Sequence, residues 1–446
     1  MVKLEEHKYY TYDRQIERMP LASNVYLPLI QHLGKACIPQ VKIGDYVLTG
    51  QKIASIDAKV YSPIHASISG KVSAIADYPH PVLGRCRAIA IESDGRDELS
   101  TASRTPSTIA RPDELTAEQI RDIVLESGIV GLGGAGFPTH IKLNPSKTVS
   151  HLIINGAECE PYLTSDYRLM VEKTREIVLG IDLVARCLGV KYVYIAIEDN
   201  KPLAIEAFRS MNSERLTVNG ERLTVDSCVN RTHIHIQVVI LKTEYPQGGE
   251  KQLIKKILDR EVPRGGLPFD VGAVVHNVAT CFAIYEAVYL NKPLYERVVT
   301  VTGSCLTSPR NLMVRLGTPI RDLIEFCGPL KDEPAKIIIG GPMMGIAQYT
   351  DKVPVIKTTS GVILMNKDEA KIFEEMPCIR CGSCIRNCPI GLMPCLINLA
   401  SGKELWSFAK TYGALDCIEC GCCNYVCPAN RHLVQSIKRA KLEIGK

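Results

Sequence analysis

Two copies of one cysteine cadence carry the most chemistry in this chain. Cys378, Cys381, Cys384 and Cys388 are followed by Pro389, and Cys417, Cys420, Cys423 and Cys427 by Pro428. Three thiols at this spacing can wrap one [4Fe–4S] cubane, and a fourth set before Pro reaches the neighbouring cluster in two-cluster proteins. One expected ligand set is therefore Cys378, Cys381, Cys384 and Cys427, and the other Cys417, Cys420, Cys423 and Cys388. Zinc is the competing reading, because CxxC pairs also make tetrahedral sites. A zinc site needs neither the third evenly spaced cysteine nor the Cys-Pro ending. Cys395 and Cys422 are surplus, and Cys422, adjoining Cys423, reads as a bystander.

The second informative stretch runs Gly131-Leu132-Gly133-Gly134-Ala135-Gly136-Phe137-Pro138. Its G-x-G-x-x-G spacing is a weak dinucleotide signal, and a capped helix precedes it where a Rossmann fingerprint follows a strand. What it offers is backbone without Cβ atoms, able to approach a phosphate or flat ring and aim N–H groups at it. Lys142 adds a charge; a tight interdomain turn is the plain alternative. Asn155-Gly156-Ala157-Glu158-Cys159-Glu160 follows a predicted strand, so its side chains stand where α/β sheets bind ligands. Glu158 and Glu160 there suit ribityl or ribose hydroxyls. Tyr245-Pro246-Gln247-Gly248-Gly249-Glu250 ends another strand and opens a helix, an anion-friendly terminus, and His276-Asn277-Val278-Ala279-Thr280 ends a fourth strand.

The elements that must position these residues fall into a multidomain α/β chain. Residues 1–30 form a polar, tyrosine-rich lead-in, and 31–97 read as short strands around the turn pairs Gly44-Asp45 and Ser69-Gly70. That all-β unit resembles the barrel-sandwich of biotinyl and lipoyl carriers. Lys59 is the one candidate for covalent attachment but lacks the carriers' acid-Lys order, so a docking or structural module is expected. Residues 98–114 read as a linker. From 115 to 295 a helix capped by Thr116 and Gln119 precedes strands at 149–154, 191–197, 234–241 and 271–275 and helices at 168–188, 202–211 and 249–258. Such alternation predicts a mainly parallel sheet. Residues 296–350 read as a β-grasp segment with strands at 298–302 and 312–315 and a helix from Thr318-Pro319 to Gly328. Residues 365–446 hold the cysteines on a helical scaffold with a helix at 393–412. A last helix carries Leu433, Ile437, Ala440 and Ile444 on one face, expected to pack on its own domain.

Composition narrows the functional classes. With 446 residues, 46% of them apolar, the chain builds several ordinary cores, and a net charge of +5 does not suggest nucleic acid. The other cysteines have no pairing rhythm, which fits a reducing compartment. The first residues have no signal-peptide core, and no run approaches the ~18 apolar residues of a membrane span. A cytoplasmic protein is expected, with any membrane role exerted through partners.

Taken together, the 131–139 glycine stretch with Lys142, the 155–160 loop, the 245–250 turn, Asn277 with Thr280 and the doubled cysteine motif resemble the RnfC family. Its members are NADH-side subunits of ferredoxin:NAD⁺ oxidoreductase complexes. The resemblance implies a barrel-sandwich, a domain similar to the flavin subunit of respiratory complex I, an SLBB-like β-grasp segment and a two-cluster ferredoxin domain, in that order. It implies FMN contacts from Gly131, Gly133, Gly134, Lys142, Asn155, Glu158, Tyr245, Gly248, Glu250, Asn277 and Thr280. For NAD(H) it implies Phe137 as a stacking ring and Glu160 near the ribose. Electrons then pass between NAD(H), FMN and two [4Fe–4S] clusters, with no protein acid or base required. Implied partners are Rnf-type membrane subunits or a ferredoxin-like carrier, with a place on the cytoplasmic face of the inner membrane. Complex I flavin subunits carry Arg, Asp and Glu where this chain has Leu132, Ala157 and Gly249. The Gly-Gly-x-His-Pro opening usual in the family is replaced by His7-Lys8-Tyr9-Tyr10-Thr11-Tyr12. Two alternatives follow from these departures: a free-standing reductase component, such as those serving proline reductase or cobalamin reduction, and a non-catalytic iron–sulfur adaptor lacking flavin.

Overall fold

The computed structural model describes residues 1–100, 112–211, 215–218, 221–224, 234–371 and 373–445; most of the expected linker lies outside them. The short apolar runs between 24 and 93 form two small sheets. Asn24–Pro28, Gly84–Ser93, Gly70–His80 and Tyr46–Val47 lie side by side in one, and Ile38–Pro39, Lys52–Ser55 and Ile64–His65 make the other. Val25, Leu27, Ile53, Ile64, Val72, Ile89 and Ile91 are buried in their common core. Gly70, expected in a turn, opens the longest strand instead. Its φ is +150°, and a Cβ there would stand 1.9 Å from the Glu92 carbonyl oxygen, so only glycine fits this close crossing. Lys59 is exposed in a bend.

The lead-in is bound along its length. Ile16–Arg18 adds a parallel strand to Arg310–Arg315, and Val2 bridges Tyr245. Lys8 Nζ donates to the carbonyl oxygens of Glu158, Glu160 and Leu163 at 2.9, 3.0 and 2.6 Å.

In the central domain the expected alternation produces a four-stranded parallel sheet in the order His235–Leu241, Tyr192–Glu198, His151–Gly156, Ala273–Asn277. The first three strands in the chain are laid down in one direction across the sheet and the fourth on the other side of the first. That reversal makes a topological switch point between His151–Gly156 and Ala273–Asn277, where crevices open at the carboxyl ends of strands. The helix expected over 168–188 is two helices, Ser165–Glu172 and Thr174–Leu188, parted at Lys173. Thr174 Oγ1 donates to the Met170 carbonyl at 2.5 Å, a local bond that competes with the helical ladder. Thr116 and Gln119 form the predicted capping box on Ala117–Glu126. Helix Val278–Leu290 packs against Thr174–Leu188 under the sheet, and nine of its residues are buried.

The β-grasp segment is a six-stranded sheet that recruits Ile16–Arg18 and reaches on to Gly361–Met365. Helix Ile320–Phe326 ends before Gly328 at φ +86°. The cysteine module is helical as expected, but the helix at 393–412 breaks into Pro394–Gly402 and Trp406–Thr411, with Glu404 at φ +57° between them. Helix Leu433–Ile444 buries Leu433, Ile437 and Ala440 in its own module. No helix among the described residues is long and apolar enough to cross a membrane.

Buried charge ties these units together. Glu296, its side chain 2% exposed, accepts from Arg18 at 2.9 Å and Lys292 at 2.7 Å, and Arg315 stands 3.3 Å from it as an ion-pair partner. Burial alone would raise its carboxyl, yet Lys292, Arg315 and Arg18 hold it down at about 2, from 4.5. A depressed carboxylate stabilises above its unfolded pKa, and that contribution is lost as pH falls toward 2. Glu296→Gln should therefore lower stability at neutral pH by roughly 3 kcal/mol, leaving Lys292 with Glu286 and Arg315 with Asp97 as their remaining carboxylates. Chemical denaturation across pH should show the gap between variant and parent closing as pH falls from about 4.5 to about 2.

Candidate functional site

The switch point holds a cavity of about 630 Å³. Asn155 and Asn277, paired in register at the ends of the two diverging strands, stand at its base. Gly131, Gly133 and Phe137 form one wall, Lys142, Gly248 and Glu250 another, and Thr280 lies at the start of helix Val278–Leu290. Nine of the thirteen residues expected to contact cofactor therefore share one hollow. The glycine stretch is held as a closed loop: the Gly131 N–H donates to the Phe137 carbonyl at 2.8 Å and the Gly136 N–H to the Gly131 carbonyl at 3.2 Å. Thr280 Oγ1 accepts from the Leu132 N–H at 3.0 Å.

Its polar groups face a common space. Lys142 Nζ meets Glu250 Oε1 at 2.5 Å, and the amino ends of helices Glu250–Leu258 and Val278–Leu290 arrive at the same hollow. Two helix amino ends and an ammonium suit a phosphate. His276 lines the cavity too, with Nε2 buried and without a hydrogen-bond partner; burial, and then Lys142, hold its imidazole well below the usual range, so it is neutral. Asn155 spends its amide on the Gly248 carbonyl at 2.9 Å and the Ala157 N–H at 3.1 Å. Asn277 caps its helix through the Ala279 N–H and donates to Asp166 Oδ2 at 2.6 Å. These asparagines shape the cavity more than they reach into it. His276 and the far wall of Leu267, Pro268 and Phe269 escape sequence reasoning, since the wall is brought over by a chain reversal that leaves no motif.

Four expected cofactor residues do not line this cavity. Gly134 is exposed, with open space on its Cβ side. Glu158 accepts from the Asp166 and Tyr167 N–H groups at 2.7 and 3.2 Å and so serves the start of helix Ser165–Glu172. Glu160 accepts from the N–H groups of Met343 and Met344 at 3.0 and 2.9 Å. Gly341 passes so close that a Cβ would lie 2.1 Å from its Oε2, and burial raises its carboxyl to about 7 against those two amides. Tyr245 is buried and turns away, donating its hydroxyl to the Cys420 carbonyl at 2.8 Å, with Glu160 Oε1 3.5 Å off.

The cysteines cross over between blocks. Cys388, Cys417, Cys420 and Cys423 line one small cavity with Ile390, Leu392 and Ile437, and Cys422, expected as a bystander, lines it too. Burial pushes the Cys423 thiol up to about 12, and Cys417, Cys420 and Cys388 beside it add to the rise. Backbone N–H groups of Leu392 and Glu419 donate to the sulfurs of Cys388 and Cys417 at 3.2 and 3.3 Å. Five cysteines around one apolar hollow, four of them the expected ligand set and two with amides on their sulfurs, fit a cluster that carries net negative charge. Cys427 packs in one apolar cluster with Cys384 of the other block, Cys423 of its own, Leu433 and Val434. Cys378 and Cys381 are exposed, and the Met376 N–H bonds to the Ala429 carbonyl at 3.0 Å, bringing their loop beside Cys427. Cys395 adjoins Cys384. Among the described residues, no three of His, Cys, Asp and Glu sit close enough to hold a single metal ion.

A short chain of contacts joins the two hollows. The Gly248 N–H, on the cavity wall, donates to Cys159 Sγ at 3.3 Å. Cys159 packs with Tyr245, Met343, Cys420 and Cys422 in one apolar cluster.

Residues 124–286 match the Nuo51 FMN-binding domain family, 2–96 the RnfC barrel sandwich hybrid domain and 298–347 the SLBB domain. The chain is 46% identical to the C subunit of the proton-translocating ferredoxin:NAD(+) oxidoreductase complex of Clostridium ljungdahlii, over 98% of this chain and 92% of that one. It is 44% identical to the Na(+)-translocating counterpart of Acetobacterium woodii, over 94% and 90%. With the C subunit of the ion-translocating oxidoreductase complex of Rhodobacter capsulatus the figures are 42%, 98% and 81%. Among solved structures, an NAD+-reducing [NiFe]-hydrogenase in the H2-reduced state aligns at TM-score 0.52 and 17% identity, covering 77% of this chain and 63% of that one. That likeness concerns fold alone.

Tyr245→Phe removes the hydroxyl donated to the Cys420 carbonyl and should cost about 1–2 kcal/mol at this contact. Hydrogen exchange should then quicken around 418–423 and leave the sheet His151–Gly156 unchanged; equal protection in both proteins would refute the contact's role.

Proposed function

The chain belongs to the family of C subunits of ion-translocating ferredoxin:NAD(+) oxidoreductase complexes, and on that footing we propose that it passes electrons between NAD(H), FMN in the switch-point cavity and two [4Fe–4S] clusters in the cysteine module. FMN, when bound, supplies the exchange of two electrons with a nicotinamide and of single electrons with a cluster. The observation that carries this reading is the chain of contacts between the two hollows through Gly248, Cys159, Tyr245 and Cys420. It makes the cubane of Cys417, Cys420, Cys423 and Cys388 the one next to the flavin. The cubane of Cys378, Cys381, Cys384 and Cys427 is the outer one.

The chain's own residues bind and orient. Lys142 and the two helix amino ends would hold the phosphate, and Gly131 and Gly133 would leave room for the ring. Phe137, in the same wall, would offer its ring to the nicotinamide. The departures at Leu132 and Ala157 are packing positions: both are buried, and the Leu132 carbonyl accepts from Arg297 at 3.3 Å. A hollow of this size not filled by its own side chains supports the flavoprotein reading over an adaptor without flavin. The exposed loop around Cys378 and Cys381 carries Phe373, Met376 and Ile379, all more than half exposed. This apolar rim is where other subunits of a membrane complex seat, holding the protein peripherally at the membrane.

Anaerobically purified protein should contain one FMN and about eight irons per chain, and NADH should bleach the cluster absorbance. Gly133→Val should empty the flavin site while leaving the iron. Cys388→Ser and Cys427→Ser should each cost one cluster, the former the flavin-side signal and the latter the outer one, in electron paramagnetic resonance. Protein without flavin, or with zinc in place of iron, would overturn the proposal.

A further inference from the structure

The two cysteine blocks carry equivalent turns with different side chains on them. Helix Ser383–Arg386 begins two residues after Cys381 and helix Cys422–Tyr425 two residues after Cys420, each behind a glycine at positive φ, Gly382 at 73° and Gly421 at 81°. The first and last residues of these short helices set the blocks apart. In the outer block Ser383 Oγ lies 3.5 Å from Cys381 Sγ. Arg386 donates from Nη2 to Ser383 Oγ at 3.2 Å and from Nη1 to the Cys381 carbonyl at 3.0 Å. A cysteine bound to iron is a thiolate, so in that state the hydroxyl is the donor of its pair with sulfur. The guanidinium takes an oxygen lone pair and leaves the hydroxyl proton for that sulfur. The inner block has Cys422 and Tyr425 in these places. Cys422 is buried and offers only a weak S–H donor, and Tyr425, more than half exposed, brings no positive charge. Donors to the inner sulfurs come from backbone, the N–H groups of Leu392 and Glu419.

We propose that Ser383, oriented by Arg386, donates to the Cys381 thiolate and raises the reduction potential of the outer cluster. The inference rests on the electron-transfer reading above and names two residues that tune it. Both are positioning residues, Ser383 acting through Cys381 and Arg386 through Ser383. Reduction adds one electron to the cluster and neither forms nor breaks a bond to the protein. The added charge spreads onto the ligand sulfurs, so a donor on one of them is held more strongly in the reduced state. The run from guanidinium to hydroxyl to sulfur strengthens each bond within it. At the inner cluster the main chain does this work, and no side-chain relay of the same kind stands beside Cys420.

The test uses the full chain, purified anaerobically with its flavin and clusters, and follows electron paramagnetic resonance at fixed potentials. The outer signal is the one lost in Cys427→Ser. Ser383→Ala should move it to lower potential by about threefold to tenfold in its reduction equilibrium, tenfold being 59 mV for one electron, with the inner signal unmoved and the iron content unchanged. Ser383→Thr keeps the hydroxyl and should return the parent value. Arg386→Lys keeps the charge but loses the fork, and should fall between Ser383→Ala and the parent. Arg386→Met should lower the outer potential in the parent and add little once Ser383 is already Ala, measured at physiological salt where an exposed charge acting directly is screened. An outer potential unmoved by Ser383→Ala, or lowered as much by Ser383→Thr, would overturn the proposal. An equal effect of Arg386→Met with and without Ser383 would overturn the relay and leave bare charge in its place. A parent protein without two iron–sulfur signals would instead defeat the electron-transfer reading.

Discussion

One buried ammonium governs how the site is assembled. Lys357 is wholly buried, and its Nζ donates to oxygens that carry no formal charge: Ser62 Oγ at 3.0 Å and the carbonyls of Pro63 and Gly128 at 2.6 and 2.7 Å. Those acceptors come from two different units, the barrel-sandwich and the turn that opens the glycine stretch. A cation taken out of water is tolerable only when its donors are satisfied, so the two units are held where they can supply the oxygens. Burial brings this amine down to about 7. Arg297 continues the arrangement, with its guanidinium on the Lys357 and Leu132 carbonyls. The amino-terminal side of the glycine loop is thereby fixed before any ligand arrives.

The same division of labour recurs around the cavity. Residues that motif reasoning assigns to cofactor, such as Asn155, Asn277 and Glu158, direct much of their polarity at neighbouring backbone. What remains for a ligand is backbone without Cβ atoms, an ammonium, two helix amino ends and one neutral imidazole. The switch point is set by strand order and not by any single residue, which is why a crevice can persist beside Leu132 and Ala157, where complex I flavin subunits carry charged groups.

Much of this is legible in the chain. The crossed cysteine sets are expected from the spacing, because in two-cluster proteins the fourth member of each block reaches the neighbouring cluster, and Cys388 lines one cavity with Cys417, Cys420, Cys422 and Cys423. Strands and helices of the central domain appear within a few residues of expectation, since periodicity reports local burial. The misses share one cause. Lys173 and Glu404 break helices through local bonds and dihedrals that apolar spacing does not encode. Glu160 and Tyr245 point to cofactor by their place at strand ends, but the Gly341–Gly345 loop and Cys420, distant in sequence, claim them. The lead-in reads only as a polar, tyrosine-rich segment because its partners, Arg310–Arg315 and the carbonyls around Glu160, lie far downstream on other units.

Tyr245 sits on the turn joining strand His235–Leu241 to the helix whose amino end faces the cavity, and its hydroxyl is bonded to the backbone of Cys420. On the proposed electron path, donor and acceptor would thus share one bracket. Tunnelling falls off exponentially with separation, so a contact that ties the cysteine module to this turn would steady the hop between them. The dry packing of Cys159, Met343 and Cys422 around it also leaves little water to reorient when charge moves, which keeps the reorganisation energy of that hop small.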